Sequence, residues 1–575
     1  MKNREVASIF QKMADILEFK DDNPFKINSY RKSARTLNDL TTDIEEIARS
    51  GNLQKIPGIG KGTAEKIVEY LETGKISKFE HIRKGISEEL ISLLGIPSLG
   101  PKTVALLHRE MKINSLEDLK KAIADESVTH LPGMGKKKVE NILRGIQLYT
   151  LSKERMPLGE ALNTAREAIE QLKKSTHIAR IEAAGSLRRG KETIGDIDIL
   201  ATGKKGGEII NTFVNLSIAN DILAQGDTKG SIITATGIQL DLRVVGKDSF
   251  GAALQYFTGS KSHNVHLREV AKREHLKINE YGVFSGVKKI GGAREKDIYT
   301  TLHMDWIPPE LREDRGEIEA ALNHTLPSLL KPSDIKGDLH VHSNYSDGAH
   351  PLEEIALKAK ELGYQYIAIT DHSQSLKIAK GLSQGRLKEE IAEVKKINRK
   401  LSGVRIFVGT EVDIKNDGTL DYPDTLLKQL DLVIGAIHTG FKQSREQITK
   451  RITTAMKNPY LHIIAHPTGR LLGEREPYEV DIDQVIETAV RTGTALEINA
   501  YTERLDLDDI NCIKAKQKGV LLTIGTDAHH LDQMWMMELG VMVARRGWLE
   551  PRNILNTFTA EELIKWTKSK PTRMQ

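Results

Sequence analysis

His340 and His342, in the stretch GDLHVHSNYSDGAH (337–350), stand two residues apart, the spacing that sets two imidazoles side by side on one face of a β-strand. Alone, such a pair is more often a solvated strand face than a metal site. Seven apolar runs change that balance: DLHVHS, YIAITDH, IFVGTEV, LVIGAIH, HIIAHP, ALEINA and LLTIGTDAH, with polar residues at their ends. They bring nine candidate ligands to one set of strand ends: His340, His342, Asp347, His372, Glu411, His438, His466, Asp527 and His529. That many imidazole and carboxylate donors suffice for more than one metal ion. A second constellation lies earlier. Asp196 and Asp198 alternate with Ile197 and Ile199, so on a strand both carboxylates face one way, and Asp241, between Leu240 and Leu242, can join them from a neighbouring strand. Three clustered carboxylates repel one another unless cations neutralise them. Two Mg²⁺ ions roughly 4 Å apart would orient a nucleophilic oxygen and stabilise a leaving pyrophosphate. Just upstream, GSLRRG supplies a glycine turn with hydroxyl and arginine donors suited to a triphosphate.

These groups need rigid elements to hold them. Helix-length segments such as 352–362 and 386–402 separate the seven runs, and strands alternating with helices predict a parallel sheet closing into a barrel with its functional groups at one mouth. Seven runs predict an incomplete barrel. The aspartates sit in β-rich text that follows a helix predicted at about 158–174. Residues 1–150 read as short helices joined by glycine-rich turns, in IPGIGKGTAEKI (56–67), GIPSLGPKTVALL (95–107) and LPGMGKKKVENI (131–142). At Gly58, Gly60, Gly100, Gly133 and Gly135, glycine amides and a positive helix end would face outward, where a phosphate can sit. Three copies with lysine beside the turn outweigh an ordinary helix–helix turn.

Composition narrows the classes. The 575 residues allow several domains, and the single cysteine, Cys512, excludes a disulfide framework and an all-thiolate zinc site. Neither a secretory apolar core nor a run of about 18 apolar residues is present, so an intracellular protein that does not span a membrane is expected. Residues 1–150 carry 25 Lys+Arg against 21 Asp+Glu, whereas 331–575 carry 34 against 34, so the basic excess sits with the hairpins.

The hairpin segments resemble helix-hairpin-helix DNA-binding modules, which grip the sugar-phosphate backbone without sequence preference. GSLRRGKETIGDIDIL resembles the nucleotidyltransferase signature of family X DNA polymerases, the group that includes polymerase beta. YFTGSKSHNVHLRE (256–269) and INEYG (278–282) are similar to that family's nucleotide-side segment in order and spacing. The resemblance implies that Ser186, Arg189 and Gly195 hold the triphosphate and that Tyr256, Phe257, Thr258 and Gly259 line the sugar, excluding a 2′-hydroxyl. Asn264 would touch the incoming base and Arg268 would lie near the template. Ile194 stands where vertebrate members have a phosphate-contacting serine. Around NPFKINSYRKSA, Lys66 falls where some members have a lyase nucleophile, Lys26, Tyr30 and Lys78 match neighbouring phosphate-binding positions, and Gly62 replaces a supporting lysine. The nine strand-end ligands are similar, residue by residue, to the polymerase-and-histidinol-phosphatase (PHP) family, which implies a trinuclear centre hydrolysing phosphoesters.

The chain is thereby identified as a member of the bacterial and archaeal family X DNA polymerases with a C-terminal PHP domain. The implied architecture is multidomain α/β: a lyase-like helix-hairpin-helix domain at 1–85, a fingers-type hairpin subdomain at 86–150, a nucleotidyltransferase palm at 151–247, a thumb-type subdomain at 248–325, a linker at 326–337 and a distorted (β/α)7 PHP barrel at 338–575. The implied function is short-gap filling in base excision repair with 3′–5′ exonuclease activity from the barrel, and with abasic-site endonuclease or 3′-phosphatase activity as extensions. The implied cofactors are Mg²⁺ or Mn²⁺ at the palm and two to three transition metals (Mn²⁺, Zn²⁺ or Fe²⁺) at the barrel. The partners are deoxynucleoside triphosphates and gapped or primed DNA, for a cytoplasmic, nucleoid-associated monomer. Two other readings compete: a metallophosphoesterase with a vestigial polymerase core, and a non-catalytic DNA scaffold. The aspartate triad argues against the first and the nine ligands against the second.

Overall fold

Residues 2–573 are described in this computed structural model, apart from 40–43, 57, 95, 97–98, 126, 136–137, 141, 144–145, 147–154 and 176–177. The expected boundary between 150 and 151, and parts of all three hairpin turns (Pro57, Gly95, Pro97, Ser98, Lys136, Lys137), lie outside the described residues. The chain falls into two units: Met1–Glu154 with Ile233–Gln239 and Glu313–Arg315, and the remainder. Among the described residues no helix is long and apolar enough to cross a membrane.

The first unit is helical. In the helix Lys2–Phe19, Val6, Phe10, Met13 and Leu17 recur every three or four residues and are buried against Ile27, Ala34 and Leu37 of the helix Pro24–Asp39. A second core joins Leu90, Leu93, Val104, Leu107, Leu119 and Ile123. Its helices start where the local chemistry dictates. Gly100 is the extended N-cap before Pro101, whose missing N–H costs nothing at that position, and Ser115 and Asp118 form a reciprocal capping box for Leu116–Ala124.

Apart from Ile233, Thr234 and Gln239, the strands lie in the second unit. The first seven are β1 (Met156–Pro157), β2 (Ile178–Ala183), β3 (Thr193–Ile194), β4 (Asp196–Gly203), β5 (Ala219–Gln225), β6 (Lys229–Thr234) and β7 (Gln239–Val244). They make a short β1–β3 ladder and a five-stranded sheet in the order β2-β4-β7-β6-β5, which places β4 and β7 side by side. The helix predicted at 158–174 spans Leu158–Ser175. β8 (Leu276–Asn279), β9 (Gly282–Ser285) and β10 (Lys288–Gly291) form an antiparallel meander packed with the helices Phe250–Thr258, Lys261–Arg273 and Glu295–Thr301.

The barrel follows in β11 (Gly337–Val341), β12 (Tyr366–Ile369), β13 (Arg405–Asp413), β14 (Leu432–Ala436), β15 (Ile463–Ile464), β16 (Ala495–Asn499) and β17 (Leu522–Gly525). Each of the seven apolar runs overlaps one of these strands, and all are parallel in sequence order. Almost every strand position is buried, as expected where helices cover a parallel sheet. The ring is nearly closed: Val341 bridges Ala528, and Asp527 N donates to His340 O at 2.9 Å.

One pole of the barrel is sealed by the helix Ala560–Arg573, whose Lys570 is fully buried. Its ammonium donates to Thr494 Oγ1 (2.8 Å), to Met456 O (3.3 Å) and to Leu461 O. Lys570→Met fills the same space without a donor and takes that donor from the buried carbonyls of Met456 and Leu461, while Thr494 Oγ1 keeps Thr492 Oγ1 at 2.7 Å. We expect it to cost about 3 kcal/mol, read as a fall in the urea midpoint of the barrel transition.

Candidate active sites

At the first site, Asp196 opens β4, Asp198 follows two residues on, and Asp241 lies on the adjacent strand β7; Ile197 and Ile199 pack into the core behind them. The carboxylates are close enough to shift one another. Burial, with the charges of Asp196 and Asp241, pushes Asp198 up to about 7, and burial with Asp241 raises Asp196. An energetically strained acid cluster of this kind fits cations that would relieve it. Gly185 (φ +61) must be glycine, since a Cβ there would lie 2.4 Å from Asp198 Oδ2. Two cationic neighbours were not legible in the sequence. Arg155, tied to Thr193 at 2.6 and 2.8 Å, faces Asp196, while Arg243 faces Asp198 and stacks 4.6 Å from the Phe257 ring centre.

The segment 185–192, a helical turn over Gly185–Arg188 and the loop that follows it, runs beside this cluster with Ser186 partly exposed. Arg188 donates to Glu295 (2.7 and 3.0 Å) and to Thr258 Oγ1 (2.9 Å), and Arg189 donates to Thr258 O (2.8 Å). Burial alone would raise Glu295, but the Arg312 and Arg188 guanidiniums hold it at about 2. Thr258 is therefore buried beneath two arginines and presents no open face. Asn264 is likewise engaged, donating to Tyr256 O (2.7 Å) and Gly259 O (3.2 Å) and accepting from Gln255 (2.9 Å). Tyr256 and Phe257 pack edge to face at 5.2 Å and stay half-exposed, as do Gly195 and Gly259, and Arg268 is exposed on its helix.

In the helical unit, Lys66 donates to Gly62 O (2.8 Å) with its ammonium 5.9 Å from the Tyr30 ring centre. Lys26 pairs with Asp22 at 3.2 Å, Asp22 also feels Lys78, and burial together with Asp22 raises Tyr30. Lys26, Tyr30, Lys66 and Lys78 thus share one face. Gly58 and Gly133 have positive φ (+97 and +74), and nothing lies within 4 Å of a Cβ placed on Gly60, Gly100, Gly133 or Gly135. Those turns are open to a ligand.

The barrel mouth gathers all nine predicted side chains. Glu411, 1 % exposed, is at the centre: Oε1 lies 2.9 Å from His466 Nε2 and 3.2 Å from His438 Nε2, and Oε2 lies 2.8 Å from His372 Nδ1, 3.6 Å from His340 Nε2 and 3.7 Å from His342 Nε2. His340 and His342 present their Nε2 atoms 3.1 Å apart, and Asp527 Oδ1 is 3.2 Å from the latter. Asp347 completes a third corner, 3.5 Å from His529 Nε2 and 3.6 Å from His372 Nε2. Three ligand groups result: His342, Asp347, His372 and His529; His340, His342 and Asp527; and His372, Glu411 and His438. His342 and His372 each belong to two groups, so the cluster is continuous.

These residues fit a divalent-metal centre on evidence internal to the fold. Buried His342 Nδ1 and His466 Nδ1 have no hydrogen-bond partner, and His372 Nδ1 and Glu411 Oε2, though 2.8 Å apart, are not aligned for one, a costly condition unless an ion supplies the contact. The charges alternate accordingly. Burial, His372 and His529 push His342 down to about 3, while Glu411 and Asp413 outweigh burial to raise His438 to about 10.

Supporting residues outside the predicted set orient the ligands. His340 Nδ1 donates to Glu497 Oε1 at 2.6 Å and His438 Nδ1 donates to Asp413 Oδ1 at 3.0 Å, so each Nε2 keeps its lone pair toward the mouth. Glu497 Oε2 accepts His466 N (2.8 Å), and Asn499 donates to Glu497 and Asp527 (3.2 and 3.1 Å). Glu497 stands inside the run ALEINA and Asp413 directly follows IFVGTEV, where an acid in or beside a buried strand was the available signal. His466 and Asp527, both predicted ligands, hold positive φ (+27 and +55), a strained backbone for residues other than glycine.

Comparison with known proteins finds matches along most of the chain. The chain matches a helix-hairpin-helix domain over residues 1–76, a SAM-like helix-hairpin-helix tandem over 90–147, a DNA polymerase beta palm over 155–242, a DNA polymerase beta thumb over 253–313 and a PHP domain over 338–501. It is 41 % identical to the DNA polymerase/3′-5′ exonuclease PolX of Bacillus subtilis (strain 168), across 99 % of this chain and 100 % of that protein. A probable phosphatase of Thermoanaerobacter sp. (strain X514) is 32 % identical over 246 residues, 40 % of this chain and 96 % of that protein.

Proposed function

Because the chain belongs to the family X DNA polymerases that carry a C-terminal PHP domain, we propose that it extends primers at the palm and trims 3′ ends at the barrel, filling short gaps during DNA repair. The observation that carries this reading is the presence of two separate acid-rich clusters in one chain, a carboxylate triad at Asp196, Asp198 and Asp241 and an imidazole-carboxylate cluster around Glu411.

At the palm, Asp196, Asp198 and Asp241 would hold Mg²⁺ or Mn²⁺; at the barrel, His340, His342, Asp347, His372, Glu411, His438, His466, Asp527 and His529 would hold two or three Mn²⁺, Zn²⁺ or Fe²⁺ ions. When bound, these metals supply Lewis-acid charge at the reacting phosphorus and its attacking and leaving oxygens. The protein's own groups do the rest. Ser186, Arg189 and Gly195 bind triphosphate oxygens; Tyr256, Phe257 and Gly259 close on the sugar over the braced Thr258; Asn264 reaches the base on exchanging its backbone bonds; and Arg268 meets the template. Lys66 serves as a lyase nucleophile beside Lys26, Tyr30 and Lys78. The substrate is gapped or primed DNA, the protein acts as a monomer at the nucleoid, and abasic-site or 3′-phosphate cleavage would use the barrel mouth.

Labelled gapped DNA tests this directly. We expect extension when deoxynucleoside triphosphates are added and digestion from the 3′ end when they are withheld. A chain that hydrolyses small phosphoesters but never extends the primer would be a metallophosphoesterase instead.

The hairpin glycines Gly58, Gly60, Gly100, Gly133 and Gly135 would let DNA phosphates approach helix N-termini. Binding should then fall steeply with salt and be indifferent to sequence. Lys61 and Lys102 stand exposed just after two of these turns. Changing both to Ala should flatten the log–log salt slope by about 2, measured by fluorescence anisotropy on two unrelated duplexes.

A further inference from the structure

The barrel does more to the palm than share a chain with it. Its helix Met537–Arg546 and its loop after His466 both reach the loop 185–192. Arg546, buried and paired with Asp509, donates from Nη1 to Arg189 O at 2.8 Å. A Cβ on Gly190 would come 3.1 Å from Met542 Cβ, so backbone and helix are in contact there. Arg470, 8 % exposed in its side chain, donates from Nη2 to Glu192 Oε1 at 2.8 Å across 278 residues of sequence.

Arg470 is itself fixed on the barrel side. It donates to Arg504 O (2.9 Å) and to Leu505 O, and Arg504 Nε lies 3.5 Å from Asp527 Oδ2. From the opposite side the same loop is held by Thr258 and Glu295 through Arg188 and Arg189. The loop is thus clamped between two bodies, and Glu192 is the point where the barrel fastens its far end.

We propose that Glu192 and Arg470 are positioning residues for nucleotidyl transfer, a strut by which the barrel fixes the loop 185–192 in the conformation that receives the triphosphate. The inference rests on the reading that this loop is the triphosphate site. Glu192 need not touch the nucleotide. It anchors the chain three residues after Arg189, and a phosphate site built from loop amides is only as ordered as its ends. Loosening that end, where Leu158 N still donates to Glu192 O at 3.0 Å, should weaken binding of the nucleotide more than it slows the chemical step, because the carboxylate triad sits on β4 and β7.

Steady-state extension of a gapped primer with the full chain, under saturating DNA, tests the strut. Glu192→Ala should raise KM for the deoxynucleoside triphosphate about tenfold with kcat within about threefold, whereas Glu192→Gln, which keeps an acceptor for Arg470, should stay within about twofold of wild type in both. Adding Arg470→Met to Glu192→Ala should raise KM no further, since the two act as one contact. Digestion of a 3′-labelled strand by Glu192→Ala should match wild type. An unchanged KM in Glu192→Ala, a Gln variant as impaired as Ala, or an equal fall in extension and digestion would overturn the proposal. An Arg189→Met control separates the two layers: if it raises KM while Glu192→Ala does not, the strut alone fails; if neither does, the triphosphate reading fails and the strut with it.

Discussion

Replacing Glu411 with glutamine will leave a protein that extends primers at close to the wild-type rate and no longer digests them. The carboxylate faces five imidazoles, two through Oε1 and three through Oε2, and it is almost wholly buried. A carboxylate can bridge two cations, which a neutral amide does far less well. Glutamine also turns an –NH₂ donor toward part of the cluster. We expect loss of at least one metal equivalent by elemental analysis, and a fall in 3′–5′ digestion of about 10³-fold or more, equivalent to about 4 kcal/mol of transition-state stabilisation. Should full digestion persist with metal content unchanged, the barrel mouth would not be the nuclease.

Asp241→Ala is expected to have the complementary effect, abolishing extension to below about one part in 10³ while DNA binding and digestion survive. Two carboxylates would remain where three were needed to hold the cations. The variant also makes a prediction in metal-free protein. Asp198 has a folded pKa of about 7, raised above its ordinary 3.8 by burial and by its two acidic neighbours. A group raised in this way contributes stability that is fully present below its unfolded pKa and is lost as pH rises through about 7. Removing Asp241 takes away one of the repelling charges, so the thermal midpoint of chelator-treated Asp241→Ala should fall less between pH 5 and 8 than that of wild type. Extension at the wild-type rate by this variant would remove the palm as the polymerase site.

Both centres were largely legible in the sequence, for different physical reasons. A parallel sheet covered by helices must be apolar on both faces, so its strands stood out as runs, and a polar group ending such a run had few roles other than chemistry. The palm aspartates showed through the two-residue period of β4. What stayed hidden depended on register between strands distant in the chain. Asp413 and Glu497 are visible acids, but only the order of β13 and β16 around the barrel sets them against His438 and His340. β5 passed unread because the mostly exposed ANDILAQ lacks the burial that makes a strand conspicuous. Thr258 and Asn264 looked like open ligand contacts, and only packing shows their polar atoms already bonded. The Glu192–Arg470 pair has no local signature at all.

The sealing helix Ala560–Arg573 also bears on how the barrel is made during translation. The seven strands emerge in the order in which they pair, so each finds its neighbour already waiting and the sheet can grow edge by edge. The floor cannot. Met456 O and Leu461 O lie near β15, yet the ammonium that satisfies them arrives about a hundred residues later. Until Lys570 leaves the ribosome, a nascent barrel carries unpaired acceptors at its base, and its ligands stand on a scaffold that has not locked. Metal capture should therefore follow synthesis of this helix, which delays nuclease activity until the palm, encoded earlier, has had time to fold.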